Sequence, residues 1–142
     1  MVGVSVKRPV VYTCGVFDLF HIGHLRVIEN ARALGESLIV AVSTDELVEA
    51  YKGIRATVPF EERLEIVRNI KGVDLAIPQR SQDKFEAWER LRFDTWVVGD
   101  DWYGREKYED YRRRLTAVGV DCVFLPYTKG VSSTQRRMAT SA

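Results

Sequence analysis

The chain has two histidines, and both fall in one four-residue phrase, His21-Ile22-Gly23-His24. It follows Val10-Val11-Tyr12-Thr13-Cys14-Gly15-Val16-Phe17-Asp18-Leu19-Phe20, an apolar run that breaks at a glycine. The order reads as strand, turn and helix start. Imidazoles at i and i+3 share one face of the first helical turn. A helix N-terminus presents backbone N–H groups and the positive end of the helix dipole, so it favours anions. Two imidazole donors at such a place predict a phosphate site.

The other candidate groups are donors and cations as well. They are Lys52, Arg63, the hydroxyls of Thr128, Ser132, Ser133 and Thr134, and the turn amides near Gly15 and Gly130. Lys129-Gly130-Val131-Ser132-Ser133-Thr134 leads into a short final helix and suits a second phosphate. The chain has no Walker-type glycine loop, no nucleophile elbow and no zinc signature. A polyphosphate site without a nucleophilic side chain implies direct transfer between bound substrates. An acceptor that is itself a phosphate or phosphonate needs no general base, since a phosphate monoester with a second pKa near ~6 is largely dianionic at neutral pH. Catalysis then reduces to bringing two anions together and offsetting charge on the attacked phosphorus and the departing pyrophosphate.

These groups must be positioned by alternating strands and helices. Strands are expected at 9–14, 37–43, 73–77, 95–98 and 121–125, from continuous β-branched and apolar runs suited to a sheet covered on both faces. Helices are expected at 22–34, with Leu25, Ile28, Ala31 and Leu34 inward, and at 45–51, capped by Thr44. Further helices are expected from Pro59, with Leu64, Ile66, Val67 and Ile70 inward, at 83–91, and at 106–118. Phe85, Trp88 and Leu91 read as core, and Arg112-Arg113-Arg114 as a solvated face. The pattern predicts an α/β, Rossmann-like five-stranded parallel sheet with helices on both faces. Ligands on such a sheet bind beyond the carboxyl ends of its strands. Every unusual phrase follows a strand, so one fold rule gathers them at one edge.

Composition narrows the class. The 142 residues fit a single domain, 1–142, either whole or cut from a longer polypeptide. A net charge of +1 gives no pull toward nucleic acid or an anionic membrane. Cys14 and Cys122 have no metal-ligand spacing and read as reduced core residues. With neither a signal peptide nor a bilayer-length apolar run in view, the expected location is the cytoplasm.

The phrases resemble the cytidylyltransferases, above all the small glycerol-3-phosphate cytidylyltransferases. Gly15 to His24 looks like that family's HxGH segment. Ser43-Thr44-Asp45-Glu46, Glu62-Arg63, Val73-Asp74 and Gly99-Asp100-Asp101-Trp102 follow in the family's order, and 126–134 looks like its RTxGISTT signature. The resemblance implies transfer of CMP from CTP to a small phosphorylated or phosphonylated alcohol, with release of pyrophosphate, use of Mg²⁺ and a homodimer. It implies that His21 and His24 stabilise the transition state and that Lys52 contacts the α-phosphate and the acceptor. Arg63 would help hold nucleotide or phosphate, Gly99 and Asp100 would face the base, and Thr128, Gly130, Ser132, Ser133 and Thr134 would hold phosphates. Gly15, Val16, Phe17 and Gly23 would line the nucleotide, and Asp18 would shape the loop. Two departures fall on the acceptor side. Tyr127 stands where the signature has Arg, and a phenol cannot replace bidentate anion pairing. The basic loop after the second strand holds Lys52 and Arg55 as its cations. The acceptor set is therefore Lys52, Arg55 and Tyr127, and a hydroxyalkylphosphonate such as 2-hydroxyethylphosphonate stands beside glycerol 3-phosphate as a candidate. Two further readings remain: an adenylyltransferase of the same fold using ATP, and a nucleotide-binding domain without turnover.

Overall fold

The computed structural model describes residues 7–99 and 105–125. Five parallel strands form one sheet: β1 (Val10–Gly15), β2 (Ser37–Ser43), β3 (Leu75–Gln79), β4 (Thr95–Gly99) and β5 (Asp121–Leu125), in the order β3-β2-β1-β4-β5. The helices are α1 (Ile22–Arg32), α2 (Asp45–Lys52), α3 (Phe60–Arg68), α4 (Lys84–Leu91) and α5 (Glu106–Ala117). The expected α/β class and the two-sided sheet are present.

Strand alternation divides the core between two faces. Val10, Tyr12, Ile39, Ala41, Trp96 and Val98 pack with Ala87 and Leu91 of α4 and with Tyr108 and Leu115 of α5. Val11, Leu38, Val40, Val42 and Val97 pack with Ile28 and Ala31 of α1 and Val67 of α3. β2 is buried along its whole length. Carboxylates fix the amino ends of the strands: the Val10 N–H donates to Asp94 Oδ2 at 2.7 Å, and the Leu38 N–H donates to Asp74 Oδ2 at 2.8 Å.

Some expectations need correction. Leu34 lies beyond the end of α1 and is exposed. Ile66 is exposed too, because α3 turns Arg63 and Val67, one helical repeat apart, toward the sheet. β3 starts two residues later than expected, since the Val73 N–H still bonds back to the Ile70 carbonyl. Pro59 is the N-cap of α3, one residue before its first turn, and Asp83 is the N-cap of α4. Phe85 and Trp88 pack against the core as expected, both cysteines are free and half-buried beside it, and Arg112 and Arg113 form surface ion pairs. Among the described residues no helix is long and apolar enough to cross a membrane.

Candidate active site

The chain reverses its direction across the sheet between β1 and β4, which lie side by side. On parallel sheets of this kind ligands bind beyond the carboxyl ends of the strands at such a point. The segment from β1 to α1 leaves the sheet at that end and carries both histidines.

Its backbone is held in an unusual course. Phe17 and Leu19 take left-handed φ values of 55° and 50°, a region that non-glycine residues seldom occupy. The Phe17 ring folds back over Gly15, where an added Cβ would meet its Cε2 at 3.2 Å. Glycine at 15 thus lets the ring lie across the end of β1. Phe17 and Phe20 then pack against His24, with ring centroids 5.7 and 5.2 Å away.

The histidines cap their own helix. His21 is the N-cap of α1, and its Nδ1 accepts the Gly23 N–H at 3.0 Å. In return His24 Nδ1 accepts the His21 N–H at 3.1 Å. This is a reciprocal capping box made by two imidazoles in place of the usual hydroxyl and carboxylate. The rings stack at 4.0 Å between centroids. A nitrogen that accepts a hydrogen bond carries no proton, so each ring is a neutral imidazole with its proton on Nε2. The N-terminal turn therefore carries two neutral Nε2–H donors. The Gly23 N–H is thus taken up by His21.

Arg63, expected to help hold nucleotide or phosphate, is engaged within the protein. Its side chain is fully buried. Nε donates to the Val58 carbonyl at 2.8 Å, and Nη1 donates to the carbonyls of Val16 at 2.7 Å and Ser43 at 2.8 Å. Nη2 donates to Asp45 Oδ1 at 2.7 Å. One guanidinium thus joins the ends of β1 and β2, the first turn of α2 and the loop before α3. The arrangement makes Arg63 a clamp on the site's walls, with its hydrogen-bonding directed at protein oxygens.

Asp45 is the anionic half of that clamp. Its Oδ2 also accepts the Phe60 N–H at 3.2 Å and lies 3.7 Å from Arg55 Nη1. Burial pushes its carboxyl up. Hydrogen bonds from Arg63 and the Phe60 N–H, with the charges of Arg63 and Arg55, outweigh burial and hold it below the ordinary carboxylate range. Asp18, read from the sequence as a local N-cap or turn residue, instead ties two distant segments: its two oxygens accept the Thr57 and Val58 N–H groups at 2.8 and 2.9 Å. Val58 is thus held at its N–H by the histidine loop and at its carbonyl by Arg63.

Lys52 ends α2 as an exposed side chain whose Nζ lies 5.8 Å from the Tyr51 ring centroid. Gly53, at φ 77°, closes the helix and turns the chain. Arg55 follows, exposed and paired with Glu49 at 2.9 Å. Gly99 ends β4 beside β1, on the same edge as Gly15. The structure therefore brings together Gly15, Val16, Phe17, His21, Gly23, His24 and Arg63, and ties the segment after Lys52 to them through Asp18. Asp100, Tyr127, Thr128, Gly130, Ser132, Ser133 and Thr134 lie outside the described residues.

The pairing of Asp45 with Arg63, the role of Glu49 and the carbonyls of Val16 and Ser43 were not among the features the sequence singled out for the site. Asp45 reads as an ordinary first-turn acidic residue, and Arg63 lies on a different helix, so no local spacing pairs the two.

A parallel α/β sheet with two histidines capping a helix at its switch point fits a nucleotidyltransferase. The cytidylyltransferase-like family model matches residues 12–139, and the chain belongs to that family. Over 126 residues the chain is 37% identical to a glycerol-3-phosphate cytidylyltransferase of Bacillus spizizenii, covering 88% of this chain and 92% of that protein. It is also 35% identical over 126 residues to an FAD synthase of Pyrococcus horikoshii, covering 87% and 84%. The lipopolysaccharide core biosynthesis protein of Thermoplasma volcanium shares the fold, with a TM-score of 0.69 at 22% identity over 86% of this chain and 98% of that one.

Proposed function

We propose that the chain transfers CMP from CTP to a small phosphorylated or phosphonylated alcohol of the glycerol 3-phosphate type, working as a homodimer. The reading is carried by the histidine capping box, which ties both Nδ1 atoms to backbone N–H groups at a helix N-terminus suited to a triphosphate. An acceptor oxygen attacks the α-phosphorus in line, the bond from that phosphorus to the bridging oxygen breaks, and pyrophosphate leaves with the electron pair. No proton need move, because the acceptor arrives ionised.

His21 and His24 donate Nε2–H to oxygens on which charge grows. With both rings neutral, positive charge for gathering the anions comes from Lys52 and Arg55. Asp100 and Gly99 serve base recognition, and Thr128, Gly130, Ser132, Ser133 and Thr134 serve the phosphates. Arg63 and Asp18 are positioning residues that set the walls. Mg²⁺ enters with CTP as part of the substrate. Asp18 spends its oxygens on backbone N–H groups, and the described residues contain no cluster of three or more His, Cys, Asp or Glu side chains suited to a metal. The triphosphate oxygens and water are the ion's natural ligands there.

The test is pyrophosphate release with CTP or ATP against glycerol, ribitol, erythritol and choline phosphates and small hydroxyphosphonates. Turnover with CTP and one of these acceptors is expected. Turnover only with ATP would instead favour an adenylyltransferase, the reading supported by similarity to FAD synthases. Tight nucleotide binding with no turnover on any acceptor would refute both.

A further inference from the structure

The two arginines that meet Asp45 are held very differently. Arg63 is buried and hydrogen-bonded on all sides of its fork, so it is not free to exchange. Arg55 is 58% exposed, and its main partner Glu49 is 54% exposed. Their pair lies on the surface, where such contacts stabilise weakly and exchange readily. Its second contact, with Asp45 at 3.7 Å, is long.

The backbone places this weakly held cation close to the site. Thr57, two residues on, is bonded to Asp18 of the histidine loop. Two residues of chain span at most about 7 Å, so the Arg55 backbone stays near that loop. Gly53 makes the reversal that returns Arg55 to α2, where Glu49 meets it. Arginine pairs bidentately with phosphate as readily as with carboxylate, and a dianion is the stronger competitor.

We propose that Glu49 is a built-in competitor for the acceptor: it holds Arg55 as a carboxylate stand-in until a dianionic phosphate or phosphonate headgroup displaces it, and so sets acceptor affinity. The proposal rests on the reading of this edge as the acceptor side of the site. Glu49 touches no substrate and acts through the availability of Arg55, so it is a specificity-setting residue.

The effect follows from the strength of the pair. If the resting contact is worth ~0.5–1 kcal/mol, a surface-pair value, Arg55 is free about one-sixth to one-third of the time. Removing Glu49 then tightens acceptor binding about three- to six-fold.

The experiment is calorimetric titration of glycerol 3-phosphate and of 2-hydroxyethylphosphonate into the full chain and into Glu49→Gln, Arg55→Gln and the double variant, with KM and kcat measured alongside. Glu49→Gln should lower the acceptor Kd by that factor, Arg55→Gln should raise it, and the double variant should match Arg55→Gln. In turnover, the acceptor KM should follow the same order while the CTP KM holds. A surface staple predicts otherwise: both single variants weaken binding, or neither changes it. Either result overturns the proposal, as does the absence of binding heat with both anions in all four proteins. Binding in the expected order without turnover would sustain the role of Glu49 and refute the reaction assigned above.

Discussion

Replacing Arg63 separates a clamp from a nucleotide contact. Arg63→Lys keeps the charge and the pairing with Asp45. An ammonium has three donors radiating from one point, whereas the guanidinium fork reaches the Val58, Val16 and Ser43 carbonyls and Asp45 from separate nitrogens. A lysine therefore abandons two or so of the carbonyl bonds in a buried setting. At roughly 1–1.5 kcal/mol each, the loss is about 2–3 kcal/mol. Arg63→Ala also strands the Asp45 carboxylate and should lose about 3–5 kcal/mol. Urea unfolding reads this directly: with a slope of ~1–3 kcal/mol per molar, the lysine variant should unfold about 1–2 M earlier. Because the clamp spans both substrate walls, its kcat should fall even at saturating CTP. A lysine variant of unchanged stability, with only the CTP KM raised, would refute the clamp and put the guanidinium on the nucleotide.

His21→Asn should retain an N-cap, since asparagine is among the best capping residues, while deleting one Nε2–H donor. Thermal stability should hold and kcat should drop on the order of 10²-fold; near-normal turnover would remove His21 from catalysis. The Asp45 carboxyl titrates below its unfolded value of ~4. Its contribution to stability is thus complete above that pH and is lost as pH falls through the folded value. Unfolding free energies measured from ~pH 7 downward should show Asp45→Asn less stable at neutrality and less sensitive to acid than the parent; parallel profiles would contradict this. Tyr127→Arg should shift acceptor preference toward glycerol 3-phosphate in competition assays, and an unchanged preference would show that Tyr127 does not select the acceptor.

The elements were legible because their signals are local. Ser37–Ser43 is an unbroken buried strand, and its residues Leu38 to Val42 are all apolar. Thr44 caps α2 through the Leu47 N–H, as its position before Asp45 and Glu46 suggests. His21 and His24 could be placed at a helix start from spacing alone, though their mutual capping depends on ring orientation. Arg63 was not legible as an interior group. A charged residue on a helix normally faces water, and the carbonyls that satisfy it come from three separate segments that only the sheet order brings together. Asp18 likewise meets partners 39 and 40 residues away. Where the interior accepted an arginine, an isoleucine three positions on was left outside.

The imidazole box has a consequence for the end of the cycle. A catalyst that welcomes pyrophosphate too warmly becomes its own inhibitor. Permanently cationic fingers at that helix tip would grip the departing polyanion with full Coulombic force, whereas uncharged rings locked by their own backbone grip it only through directional contacts. In the proposed reaction, the lock that readies the rings for chemistry would also keep the exit open.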